Sequence, residues 1–136
     1  MRRIFFVLVL SGCLAAGCRA GRHEKSQDVA VEWHHVASWS GRGNAQLETF
    51  PIGGWSWRIK WETKNAADPQ SGSFRVSVHS ADSGRHIAEI IDVRGAGRDV
   101  AYITELPHRY YLVVRSNDLD WSMEAEEGIV KEGVVK

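Results

Sequence analysis

The feature that most constrains the fold is a strict alternation of apolar and polar side chains. It is clearest in residues 55–62, where the odd positions hold Trp, Trp, Ile and Trp and the even positions hold Ser, Arg, Lys and Glu. Successive side chains of a β-strand point to opposite faces, so such a segment has one apolar and one polar face. The pattern therefore predicts an antiparallel sheet that is covered on one side and exposed to solvent on the other.

The same pattern recurs along most of the chain. It predicts about eight short strands, at residues 31–39, 46–50, 55–62, 73–79, 86–93, 99–105, 110–114 and 121–126. Turn signals about every 8–12 residues are typical of an all-β sandwich or a small barrel. For the last segment, a short final helix over residues 124–130 is an alternative.

Size and charge indicate a single domain that does not bind nucleic acid. A length of 136 residues suits one hydrophobic core. Lys and Arg together number 17, as do Asp and Glu, so the chain has no basic excess to attract phosphates. Both cysteines, Cys13 and Cys18, lie near the N-terminus, so we expect the rest of the chain to fold without a disulfide.

The first residues have the layout of an export signal. Arg2 and Arg3 precede an apolar run over residues 4–10, and small residues then continue to Cys18. The uncharged stretch is shorter than the roughly 20 residues that a membrane-spanning helix needs. We therefore expect a cleaved signal peptide.

The end of this segment resembles the lipobox of bacterial lipoproteins. Residues 14–18 read Leu-Ala-Ala-Gly-Cys, and Cys13 is preceded by a similar motif with Leu10 three places before it. Cys18 is the favoured lipidation site and Cys13 the alternative, because cleavage before Cys13 would leave an apolar run at the lower limit of about 7–15 residues. An ordinary signal peptide, with cysteine as a small apolar residue, is a further alternative.

The resemblance implies a lipid anchor and a location. A diacylglyceryl group would be attached to the Cys18 sulfur, and acyl chains such as palmitate would hold the protein on a membrane surface without spanning it. Because Arg19 rather than Asp follows the cysteine, the periplasmic face of the outer membrane is the expected site if the host is Gram-negative.

The expected organisation follows from these boundaries. It comprises a signal peptide (1–17), a lipidated cysteine with a polar tether (18–30), a β-sandwich domain (31–126) and a charged tail (127–136).

The domain also resembles a loose group of small exported bacterial domains. The resemblance is carried by a Trp-rich strand, an alternating strand, an Asp-x-Gly hairpin, a Gly-x-Gly turn, a Tyr-Tyr-Leu strand and a final Trp, here Trp55–Trp61, Phe74–Val78, Asp82–Gly84, Gly95–Gly97, Tyr110–Val114 and Trp121. It implies a jelly-roll-like sandwich and no single activity.

Tryptophan supplies the main candidate binding residues. Trp55, Trp57 and Trp61 lie on one face of the predicted strand, where an exposed aromatic row would stack on sugar rings. A buried row would instead form the centre of the core, which is the favoured interpretation because large exposed apolar patches are uncommon on monomers.

The remaining candidates are weak. His79 and His86 flank a hairpin containing Asp82, but three ligands from one hairpin are a poor indication of zinc. The adjacent His34 and His35 point to opposite faces of a strand and would not share a metal. We therefore expect neither a metal nor a cofactor.

These observations favour a lipid-anchored cell-envelope lipoprotein that is not an enzyme. Its sandwich would serve binding or structural interaction, with the membrane, an envelope protein or a glycan as partner. Catalytic motifs such as Gly-x-Ser-x-Gly are absent from the sequence. The alternatives are a carbohydrate-binding module with exposed Trp and a small hydrolase with an unrecognised site.

Overall fold

The computed structural model describes residues 30–65 and 67–131, which form nine β-strands. Their bounds are β1 Ala30–Arg42, β2 Ala45–Gln46, β3 Phe50–Ile52, β4 Ser56–Lys64, β5 Ser73–Ser80, β6 His86–Arg94, β7 Gly97–Thr104, β8 His108–Asn117 and β9 Asp120–Lys131. The predicted signal peptide, with Cys13 and Cys18, and the predicted tether up to residue 29 lie outside the described residues. The described part of the chain contains no helix that is long and apolar enough to span a bilayer.

The strands form two antiparallel sheets packed as a sandwich. The first sheet has the order β1-β9-β4-β7, and the second has the order β2-β8-β5-β6, with β3 also paired to β8. Since β2 and β3 both pair with β8, they act as one interrupted strand. The first strand then pairs with the last, the second with the second-to-last, and so on inward, which is the jelly-roll arrangement. The predicted all-β sandwich is confirmed.

The alternating pattern accounts for the core. In β4, Trp57, Ile59 and Trp61 are buried, while the polar residues between them lie on the outer face of the first sheet. In the second sheet, Phe74 and Leu112 are also fully buried. The two apolar faces meet between the sheets, so the hydrophobic effect favours this register over a shift by one residue.

The predicted end of the domain needs correction. Residues 124–130 are strand, because they pair in register with β1 along their length and Ala125 lies in the core. Residues 127–131, which are predicted to be part of the charged tail, belong to β9, since this strand continues to Lys131 opposite Ala30. A final helix would have left the long strand β1 without its partner.

Candidate functional site

The outer face of the first sheet brings charged side chains from three strands together. Glu126 of β9 lies opposite His35 of β1 on one side and Arg58 of β4 on the other. Glu124 lies in the next outward-facing position of β9, opposite Lys60. Because directly opposite side chains in antiparallel strands are close neighbours, this register creates a cross-strand ladder of alternating charge.

Ion pairs connect the ladder. Arg58 donates to Glu126 at 3.0 Å, and the Lys60 ammonium lies 3.2 Å from Glu126 and 3.3 Å from Glu124. His35 Nδ1 lies 3.1 Å from the Glu124 carboxylate. The two carboxylates therefore share one ammonium and each has a second partner. We call these five residues the charge ladder.

The ladder keeps its carboxylates ionised. Glu126 is only 7% exposed. Its burial alone would raise the pKa, but the hydrogen bonds from Arg58 and Lys60 outweigh that effect and leave the pKa below the ordinary value. The pKa of Glu124 is also lowered, first by its hydrogen bond with His35 and then by Lys60, against the opposing effect of burial. The same hydrogen bonds raise the pKa of Lys60.

Two aromatic rings lie next to the ladder. The Arg58 guanidinium lies 4.1 Å from the centre of the Trp33 ring, in cation–π geometry. Trp33 also meets Tyr102 edge-on, with ring centres 6.0 Å apart. Tyr102 is largely exposed and Trp33 is half-buried. We call Trp33, Arg58 and Tyr102 the aromatic cluster.

A glycine makes room for this cluster. Gly128 lies opposite Trp33 in the β1–β9 pair. A Cβ atom at this position would come within 3.3 Å of the Trp33 ring and 3.0 Å of Val31 Cγ1. The lack of a side chain at residue 128 thus allows the Trp33 ring to lie against the backbone of β9.

A shallow, open groove continues the face beyond the ladder. It is lined by hydroxyl and charged groups, among them Ser38, Ser40, Glu62, Arg98 and Ser122. Ser40, Ser122, Glu62 and Arg98 are successive partners across the four strands. The face therefore offers many hydrogen-bonding groups next to aromatic surface, which suits binding of a polar ligand.

The three tryptophans of the predicted row are divided between the core and the surface. Trp57 is 0% exposed and Trp61 is 9% exposed, whereas Trp55 is 65% exposed in the turn before β4. Trp57 stacks on Tyr110 with ring centres 5.3 Å apart, so it belongs to the contact between the sheets. The second sheet covers the apolar face of β4, so Trp57 and Trp61 lie in the core, as in the favoured interpretation of the row.

The histidines are dispersed among separate partners. His79 and His86 oppose each other across the hairpin, as predicted, with ring centres 5.2 Å apart. Asp82, the third member of that candidate site, pairs instead with His108 at 3.0 Å. Within residues 30–65 and 67–131, no group of three His, Cys, Asp or Glu side chains is placed to hold a metal ion.

The sequence did not reveal the aromatic cluster, because a β-bulge hides it. Simple alternation places Trp33, His35 and Trp39 on one face of β1. The register shifts between His35 and Ala37, so Trp33 and His35 point outward while Trp39 packs on Phe50 in the core. The sequence indicated only that the outer face is charged, because Arg58 and Lys60 occupy polar positions of the strand with the clearest alternation.

Comparison of the chain with protein-family models and with curated proteins finds no match.

Proposed function

We propose that this protein is a lipid-anchored, non-enzymatic binding protein of the cell envelope, with the outer face of the first sheet as its ligand surface. The observation that carries the proposal is the aromatic cluster, in which an exposed Tyr102 and a half-buried Trp33 lie beside Arg58, on the same sheet face as the polar groove. The lipid anchor is a separate part of the proposal and rests on the lipobox-like residues before Cys18.

The state of the carboxylates favours binding over catalysis. Acid catalysis at neutral pH needs a carboxyl group whose pKa is raised, so that it still carries a proton. Glu124 and Glu126 have the opposite property, because their cationic partners stabilise the ionised form. Both carboxylates are already paired, so they serve better as fixed hydrogen-bond acceptors than as proton donors.

Carbohydrate binding is the second candidate function, with a glycan as the specific ligand of this surface. Aromatic rings stack on the apolar faces of sugars, and hydroxyl and charged groups bond to the sugar hydroxyls. Tyr102 and Trp33 offer the rings, and Ser38, Ser40 and Ser122 offer hydroxyls farther along the same face of the sheet. This version of carbohydrate binding replaces the buried tryptophan row with a different aromatic pair.

Site-specific cross-linking in the native envelope tests the ligand surface. A photo-reactive amino acid at Tyr102 is expected to give a defined cross-linked product in intact cells. Tyr111, which lies on the second sheet opposite His79, serves as the control position. The same product from both positions, or none from Tyr102, would contradict the proposed surface.

Titration with N-acetylglucosamine oligosaccharides tests the glycan version. Because Trp33 lies in the cluster, binding is expected to change the tryptophan fluorescence, and Tyr102→Ala is expected to weaken the affinity at least tenfold. Tyr111→Ala should leave the affinity unchanged. An equal loss in both variants would show that Tyr102 has no specific role.

A further inference from the structure

The exposed apolar side chains of the described residues gather at one end of the sandwich. Those more than about one third exposed are Val31, Trp55, Tyr102, Leu106, Ile129 and Val130. Tyr102 belongs to the aromatic cluster on the outer face. We call the other five residues the apolar end.

The strand register places the apolar end. Val31 lies directly opposite Val130, and Ile129 is the next residue of β9. The start of β4 lies beside the end of β9, with Trp57 opposite Glu127, so Trp55 is close to this strand end. Ser56 in turn lies opposite Thr104, after which the chain continues to Leu106. Five residues from four separate parts of the sequence thus share one end of the fold.

The polypeptide that leads from the predicted lipid anchor enters the domain at this same end. Ala30, the first residue of β1, directly precedes Val31, and Cys18 lies twelve positions upstream. A chain of this length reaches at most about 43 Å, whatever its conformation. The strand β1 is itself about 43 Å long. The chain from Cys18 therefore joins the domain at the apolar end, and it would have to be fully extended to span the length of β1.

We infer that the apolar end rests in the interfacial layer of the membrane that carries the lipid anchor. This inference depends on the proposed lipidation and adds a second, direct contact with the bilayer. Tryptophan favours the membrane–water interface because it combines a large apolar ring with a polar N–H group. Trp55 has this combination, and the aliphatic side chains around it add apolar surface.

The carboxylate that follows Val31 has a cationic partner. Glu32, the neighbour of Val31, pairs with Lys131 and lies 3.3 Å from His34. Its carboxylate is therefore neutralised beside the apolar residues. Because the acyl chains hold the domain at a high local concentration near the bilayer, a weak apolar contact suffices to orient it.

Quenching by brominated lipids tests the inference. Full-length lipidated protein is reconstituted in vesicles of phosphatidylethanolamine and phosphatidylglycerol, with or without bromine on the acyl chains. Part of the tryptophan emission should be quenched, and Trp55→Phe should remove that quenched part. Trp39→Phe, which alters a ring packed on Phe50, should retain it. The double variant Ile129→Ser, Val130→Ser should reduce the quenching although Trp55 remains.

Two further measurements on the same samples separate the possible failures. The mass of the protein reports acylation at Cys18, and flotation reports vesicle attachment. Acylated protein that floats but shows no bromine quenching, or quenching that Trp55→Phe leaves intact, overturns the inference and retains the lipid anchor. If the apolar end instead forms a contact between two copies of the chain, bromine quenching is also expected to be absent, and the inference is overturned. Protein that is neither acylated nor attached overturns both proposals.

Discussion

Single residues decide how the outer face responds to acid. Glu124 and Glu126 have pKa values below the ordinary 4.5 because cations face them in the folded state. The unfolded state therefore binds more protons in this range, and the ladder's contribution to stability is present above about pH 4.5 and lost as pH falls through the lowered pKa values.

This gives a prediction for the pH dependence of unfolding. The free energy of unfolding, measured with urea, should fall between about pH 4.5 and pH 3. Glu126→Gln should reduce that slope and should cost about 1–3 kcal/mol at pH 7, because Arg58 and Lys60 lose a charged partner. Glu62→Gln is the control, since the Glu62 side chain is 42% exposed and its nearest cation among the described residues, Lys64, is 3.6 Å away. An unchanged slope in Glu126→Gln would contradict the role of the ladder.

Two core tryptophans should differ in their response to the same substitution. Trp121 Nε1 donates to the Gly43 carbonyl at 3.0 Å, whereas the buried Trp57 Nε1 has no partner among the described residues. Both Trp→Phe changes remove similar volume, but only the Trp121 change breaks a hydrogen bond. Trp121→Phe should therefore be more destabilising, by about 1 kcal/mol, in urea unfolding at pH 7. A larger loss in Trp57→Phe would show that its N–H is satisfied.

At the scale of elements, turns and β-bulges determine side-chain positions that the alternating pattern does not predict. The sequence predicts most of the strand segments, because apolar residues on one face need a partner sheet. The predicted strand 46–50 is instead split into β2 and β3, with residues 47–49 outside both. It does not predict the bulge at Val36, which turns Trp33 and His35 to the outside. A bulge depends on the register between β1 and β9, which are nearly 90 residues apart in the sequence. Long-range register therefore created the candidate site.

Two glycines allow a matched test of turn geometry. Gly43 and Gly95 both have positive φ, of 79° and 76°, which disfavours any residue with a Cβ atom. A Cβ atom at Gly95 would also lie 2.7 Å from the Pro69 carbonyl oxygen, whereas one at Gly43 would meet nothing within 4 Å.

Gly43→Ala should lower stability by about 1–2 kcal/mol, from the backbone conformation alone. Gly95→Ala should cost more, because the loop that contains Pro69 must also move. Thermal unfolding of both variants measures the difference. Equal melting temperatures would indicate that this loop yields without cost.

At the scale of the whole molecule, the sandwich joins two surfaces for which we propose different tasks. The outer face of the first sheet carries the aromatic cluster, and the apolar end lies where the chain arrives from Cys18. The all-β class was predictable from residues such as Trp57 and Ile59, whose side chains must be covered. The pairing of the first strand with the last was implied only by the resemblance to jelly-roll-like exported domains, because composition and alternation carry no information about partners.

The lipid anchor is the central proposal, because it would determine where the domain works and which end faces the membrane. Metabolic labelling with palmitate, followed by fractionation, tests it most directly. The account predicts labelled protein in the membrane fraction and loss of both label and membrane retention in Cys18→Ser, while Cys13→Ser keeps both. Unlabelled wild-type protein, or label that persists in Cys18→Ser and disappears in Cys13→Ser, would contradict the assignment of the anchor to Cys18.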